Sequence, residues 1–370
     1  MKSLDTLPSG SAALSQTDKQ VVAKRDVQLD IYRALSMIYI LCVIHVAYWL
    51  DAVPEPFASV LLFEMPVIFF ISGAALSVSK KRKKFTSVVT NRAKRVLLPY
   101  YAYAFACVAV FAAYYLLFDT DRSEPLVYVV IRSLWPDDGS VPVPYAWHLW
   151  FVAPYLIISC SFYFQQKLTD RINPYIYLSL LLIACVITQI LTGNSLIRSV
   201  IFYNFFFMAG YLMYKRLSKS RICLIATVAI PVLAAMFFYF WKGSMQAHKF
   251  PCDMVFLVFG IVALCLLGLI FTYVRVPANR LLNWWNKNGY TIYMWQNIAF
   301  IIAGVLLIVL PSWLTISYVG FTVKAIMIFL LSTFLSFLAV PFERLFAKAI
   351  ARIFTRSPRS ACLVRLARRV

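Results

Sequence analysis

Apolar residues in this chain neither alternate with polar ones nor return every third or fourth position. They come in predominantly apolar runs of about 18 residues or more, each long enough to carry a helix across ~30 Å of hydrocarbon. Ten such runs lie near 27–50, 56–79, 97–118, 146–166, 175–192, 197–214, 222–241, 251–274, 289–310 and 316–340. Barrel strands would alternate apolar with polar, whereas Leu180 to Ile187 is apolar on every face. An open sheet would leave its edge hydrogen bonds unmade in lipid. The pattern therefore predicts an all-α fold, a polytopic membrane bundle of about ten transmembrane helices.

The segments joining these runs fall into two classes that alternate. The N-terminal arm, Lys80 to Arg95, Lys215 to Arg221 and the tail after Glu343 are strongly basic. Asp51 to Pro56, Asp119 to Tyr145, Thr192 to Ser195 and Pro311 to Ser312 are poor in Lys and Arg. Cytoplasmic loops carry the basic excess, so ten spans with both termini in the cytoplasm satisfy both patterns. The weak point is Val274 to Asn288, with only Arg275, Arg280 and Lys287. One membrane domain over 27–342 is expected, between a basic arm (1–26) and a basic tail (343–370) that lies on anionic lipid. The longest outer segment holds Asp119, Asp121, Glu124, Asp137 and Asp138, and reads either as an interfacial lid or as an ordinary loop.

Composition agrees with the pattern: 62% of the 370 residues are hydrophobic and 14% charged, and the mean hydropathy is +0.76. The net charge of +21 sits in short loops rather than in a folded basic domain, which argues against nucleic acid as a partner and for the phospholipid bilayer. The eight cysteines fall mostly within apolar runs and show no metal-ligand spacing, so no metal is expected. The first 26 residues are polar and end in Lys24-Arg25-Asp26, so the first run reads as a retained helix.

Ionisable groups inside a span are costly and mark candidate sites. The first span holds Asp30, Arg33 and His45; Asp30 and Arg33, three apart, can pair. His45 lies roughly 18 Å further along the axis, where a neutral imidazole can take a proton from a hydroxyl. Glu64, before Met65-Pro66, is either a kink residue or part of the site, and Ser72-Gly73 permits close helix approach. Arg92 and Arg95 share a helix face and can grip a phosphate, unless they serve only as loop charge. Tyr145, Trp147, His148 and Trp150 open the fourth span, either as an interfacial belt or as a platform for sugar rings. Tyr203, Asn204, Asp253 and Gln296 complete the polar set; Asp253 can orient a histidine or bind a sugar hydroxyl.

In this order the segments resemble the acyltransferase 3 family of bacterial membrane acyltransferases. The matching pieces are Asp30-x-x-Arg33 with His45, Phe69-Phe70-Ile71-Ser72-Gly73, Arg92-x-x-Arg95, Trp147-His148-Leu149-Trp150-Phe151, Phe205 to Gly210 and Tyr290-Thr291-Ile292-Tyr293. The resemblance implies transfer of an acyl group, acetyl first among them, from cytoplasmic acyl-CoA to a hydroxyl of an extracytoplasmic acceptor. Family acceptors include O-antigen, exopolysaccharide, peptidoglycan, lipid-linked sugars and some macrolides, and the implied address is the bacterial inner membrane. It implies His45 as general base or acyl relay with Arg33 as electrostatic partner, Arg92 and Arg95 on the CoA phosphates, and Ser72 and Gly73 shaping a channel for the pantetheine arm. Glu64 and His148 are further catalytic candidates. Tyr145, Trp147, Trp150, Asp253, Tyr203, Asn204 and Gln296 are candidates for binding the glycan acceptor.

Two departures stand out. Eleven residues separate Arg33 from His45 where the family usually has ten, which turns them from ~20° to ~120° apart on a regular helix. Either a π-bulge restores the face or Arg33 serves another partner. Gln296 stands near a position where the family often has histidine, so any second-histidine role passes to His148 or is absent. The expected function is O-acylation of a surface glycan or its lipid-linked precursor. The competing expectation is a transporter or flippase for a lipid-linked saccharide, which has no need of His45 together with Arg92-x-x-Arg95.

Overall fold

A computed structural model describes residues 26–79, 84–118, 126–135, 148–311 and 318–356, and all regular structure there is helical. α1 (Val27–Tyr39) runs through a π-helical turn, Ile40–Ile44, into α2 (His45–Trp49). There follow α3 (Phe57–Val60), α4 (Glu64–Ser79), α5 (Phe85–Phe118), α6 (Leu126–Arg132) and a 3₁₀ turn, Leu149–Phe151, leading into α7 (Val152–Thr169). The rest are α8 (Pro174–Leu191), α9 (Ser195–Met213), α10 (Lys219–Phe240), α11 (Met245–Lys249), α12 (Met254–Tyr273), α13 (Arg280–Val309) and α14 (Tyr318–Arg356).

Helix starts follow local chemistry. Asn173, Asn194, Ser218, Asp253 and Asn279 each accept a hydrogen bond from a backbone N–H in the first turn of the following helix. Asp26 caps α1 in the same way and also holds Tyr214 and Lys215 at the end of α9. Its carboxyl pKa is lowered: burial pushes it up, but the Lys215 ammonium and the donated hydrogen bonds outweigh that.

Nine described helices are long and apolar enough to cross a membrane. The expected crossing at 146–166 is α7, less apolar because Gln165-Gln166-Lys167 ends it. Two helices extend beyond their apolar runs. α5 begins at Phe85, which puts Arg92 and Arg95 on the helix ahead of Pro99, and α13 begins at Arg280. α14 continues past 342, so Glu343 lies mid-helix and is buried.

α4 and α9 approach each other closely. A Cβ on Gly73 would land on the Phe207 carbonyl oxygen, and one on Gly210 on the Phe70 carbonyl oxygen, so only glycine lets the two backbones meet. Around this contact and α13 sits the core, with Phe69, Tyr100, Tyr103, Phe206 and Trp285 fully buried. α8 and α10 instead leave residues such as Leu180, Ile183, Val228 and Phe238 exposed, as lipid-facing helices do.

Candidate active site

The turn at Ile40–Ile44 bonds the His45 N–H to the Ile40 carbonyl, five residues back. A π turn absorbs one extra residue, so the twelve steps from Arg33 to His45 behave like eleven and leave the two about 20° apart. Both side chains accordingly reach α13. Arg33 Nη1 donates to Asn286 Oδ1 at 3.4 Å while staying within 3.6 Å of Asp30. His45 Nδ1 lies 2.6 Å from Gln296 Oε1. An amide oxygen only accepts, so Nδ1 carries the proton and Nε2 presents the lone pair. The ring stacks on Trp49 at 4.1 Å and meets Tyr293 at 5.9 Å.

A cavity of about 550 Å³ opens between α1, α4, α5 and α13. It is the right size for a cofactor-sized ligand. Arg33, Arg92, Arg95 and Lys287 line it with no carboxylate among the lining residues. Ser72, Ala75 and Ser79 supply the α4 wall, and Ile40, Met65, Phe151, Tyr155 and Tyr293 form an apolar stretch. Arg92 and Arg95 also border a smaller adjoining cavity with Asn91 and Gln166. Tyr293 is shared: it lines the main cavity and packs against both His45 and His148. The cationic part of the cavity and the two histidines therefore lie on either side of Tyr293. Such a lining fits an anionic ligand with an apolar part.

The other candidates separate into those that join this cluster and those that do not. His148 is 1% exposed; its Nε2 donates to the Met294 carbonyl at 3.2 Å, and its Nδ1 has no partner among the described residues. Gln296 is fully buried, and its Oε1 holds His45 Nδ1. Trp150 is half-buried against Phe250 and Tyr203. Tyr203 is fully buried and stacked on Phe69. Asn204 also departs from the expectation: its Oδ1 accepts from Gln165 on α7, part of a polar ladder that includes Tyr177. Gly73 faces α9 instead of the cavity, for the packing reason given above, while Ser72 does line it. Tyr145 and Trp147 lie outside the described residues.

Glu64 is buried and ion-paired with Lys249, itself 5% exposed, from the short helix α11. Asp253 does orient a histidine, but it is His248: Nδ1 lies 2.8 Å from Asp253 Oδ2, and the Lys242 N–H donates to Nε2. Lys242 Nζ adds a second bond to the same carboxylate oxygen. Burial raises the Asp253 pKa, yet the bonds from His248 and Lys242 more than offset this and hold it below the usual carboxylate range. On the opposite flank, Glu343 accepts from Thr291 Oγ1 at 2.7 Å and from Trp295 Nε1 at 3.1 Å. Among the described residues no group of three His, Cys, Asp or Glu could hold a metal ion.

Residues 26–340 match the family described as Acyltransferase domain. No curated protein and no solved structure shows significant similarity to the chain.

Proposed function

The chain belongs to this acyltransferase family, and from that premise we propose that it moves an acyl group, acetyl foremost, from acyl-CoA to a hydroxyl across a membrane. The observation that carries the reading is a cavity lined by Arg33, Arg92 and Arg95 and also by Tyr293, whose ring lies 5.9 Å from that of His45. In this reading the arginines bind the CoA phosphates from the cytoplasm, where both termini lie, and the pantetheine arm follows the apolar wall toward Tyr293. Arg92 and Arg95 come from the basic side of α5, which fits a bacterial inner-membrane enzyme fed from inside.

At the inner end, the acceptor hydroxyl oxygen forms its bond to the thioester carbonyl carbon. His45 Nε2 takes the hydroxyl proton, the carbon–sulfur bond breaks, and the imidazolium returns the proton to the departing thiolate. Gln296 supports this by keeping the other nitrogen protonated. The acceptor is an extracytoplasmic polysaccharide or a lipid-linked glycan, met at the end of the bundle that carries His148 and Trp150. Transport of a lipid-linked saccharide, the competing function, gives no reason for a cavity lined by three arginines and a lysine beside a tyrosine that packs on His45.

The test is esterification of the cell-surface glycan in cells carrying His45→Ala. A loss of roughly a hundredfold or more is expected for a general base. Normal ester content in the variant would remove His45 from catalysis.

A further inference from the structure

The mechanism above leaves the Glu64–Lys249 pair unused. A buried ion pair costs several kcal/mol of desolvation per ion and is poor evidence of stabilisation. Yet the fold goes to some length to build this one. Ser59 Oγ accepts from the Met245 N–H at 2.8 Å and donates to Glu55 Oε2, tying the start of α11 to α3. The Asp253–His248–Lys242 cluster ties its other end to α12. Between these two fastenings α11 carries Lys249 into the bundle, where Nζ meets Glu64 Oε1 and lies 5.5 Å from the Trp150 ring and 5.4 Å from that of Phe250.

The pairing is half complete. Glu64 Oε2 is buried, in a residue 4% exposed, and has no hydrogen-bond partner among the described residues. A bare carboxylate oxygen in such a place asks for a donor. Its surroundings say which kind. Lys249 already balances the charge, so a cationic donor would leave the site with a net charge in low dielectric. A neutral hydroxyl meets the need without that cost. The location fits an acceptor as well: Met65, next in sequence, lines the donor cavity.

We propose that Glu64 Oε2 anchors a neutral, hydroxyl-rich acceptor by taking a hydrogen bond from one of its hydroxyls, with Lys249 as the positioning residue that holds the carboxylate. The proposal rests on the acyl-transfer reading and adds to it the acceptor's side of the site.

The experiment uses membranes containing the full chain, labelled acetyl-CoA, and a count of label in glycan ester against label in free acetate. Glu64→Gln, Lys249→Met and the double variant are compared with the parent, with calorimetric CoA binding measured beside them. Loss of one charge-assisted hydrogen bond lowers the ester yield roughly tenfold or more. CoA affinity is expected to stay at the parent value, and the label is expected to shift from ester to acetate. The double variant, which buries no unpaired charge, is expected to fold and still to fail at esterification. Recovery of ester yield in the double variant or in the swapped pair Glu64→Lys with Lys249→Glu would overturn the proposal, because the pair would then be only a fold contact. Weakened CoA binding in the single variants would overturn it too, by assigning the pair to the donor. Failure of the acyl-transfer reading has a different signature: the parent protein itself would neither bind CoA nor release label.

Discussion

Gln296 touches His45 through an oxygen that can only accept, and that single contact decides which imidazole nitrogen is free. Leucine at 296 would fill a similar space without the acceptor, letting the ring exchange tautomers and turn. Gln296→Leu is expected to lower kcat roughly tenfold while leaving the KM for acyl-CoA unchanged, since Gln296 is remote from the arginines. Steady-state kinetics in detergent would check it; a change confined to KM would place Gln296 with the donor instead. Arg33 and His45 stood out in the sequence as polar groups in an apolar run, and the resemblance marked Arg92, Arg95 and Ser72; the structure brings Arg33, Ser72, Arg92 and Arg95 to one cavity. Gln296 was visible as a polar residue, but its role was not, because its partner lies 251 positions away. Lys249 and His248 were hidden in a short polar stretch between spans that reads as loop. Glu343 was hidden by the basic residues after it, which make α14 look finished before it is.

The π turn at Ile40–Ile44 is the element on which the site depends most directly. One surplus residue between Arg33 and His45 is an anomaly in the sequence, and the structure accommodates it locally rather than by turning the helix. Two variants of opposite sign follow. Deleting Val43 lets the turn revert to α-helix with His45 still facing Gln296, so substantial activity is expected to remain. Inserting one alanine after Val43 adds a residue the turn has no further means of absorbing and rotates His45 by about 100°. Activity is then expected to vanish, although the protein still inserts in the membrane. Comparing acyl-ester yield with membrane protein level separates the two outcomes, and equal loss in both variants would rule out phase as the cause. The spans themselves were legible to within a few residues, except where helices such as α5 and α13 extend past the apolar run into charged sequence. Hydropathy marks where lipid ends, whereas a helix stops only at a breaker or cap.

At the scale of the whole molecule, the bundle gathers cations from three distant segments, α1, α5 and α13, around one cavity. Arg92→Ala with Arg95→Ala is expected to raise the KM for acyl-CoA roughly tenfold or more with kcat nearly unchanged at saturation, and to flatten its dependence on salt. A fall in kcat alone would remove the arginines from donor binding. The cationic mouth has a further consequence, one of membrane voltage. Moving a charge across the bilayer costs or yields about 2.3 kcal/mol per 100 mV. If every phosphate stops at Arg33, Arg92 and Arg95, the only part of the donor that travels on toward His45 is an uncharged acyl arm. Transfer across the membrane is then electrically silent. Proteoliposomes given a potassium diffusion potential of either sign should acylate at the same rate, and a rate that follows the potential would show that donor charge passes beyond the mouth.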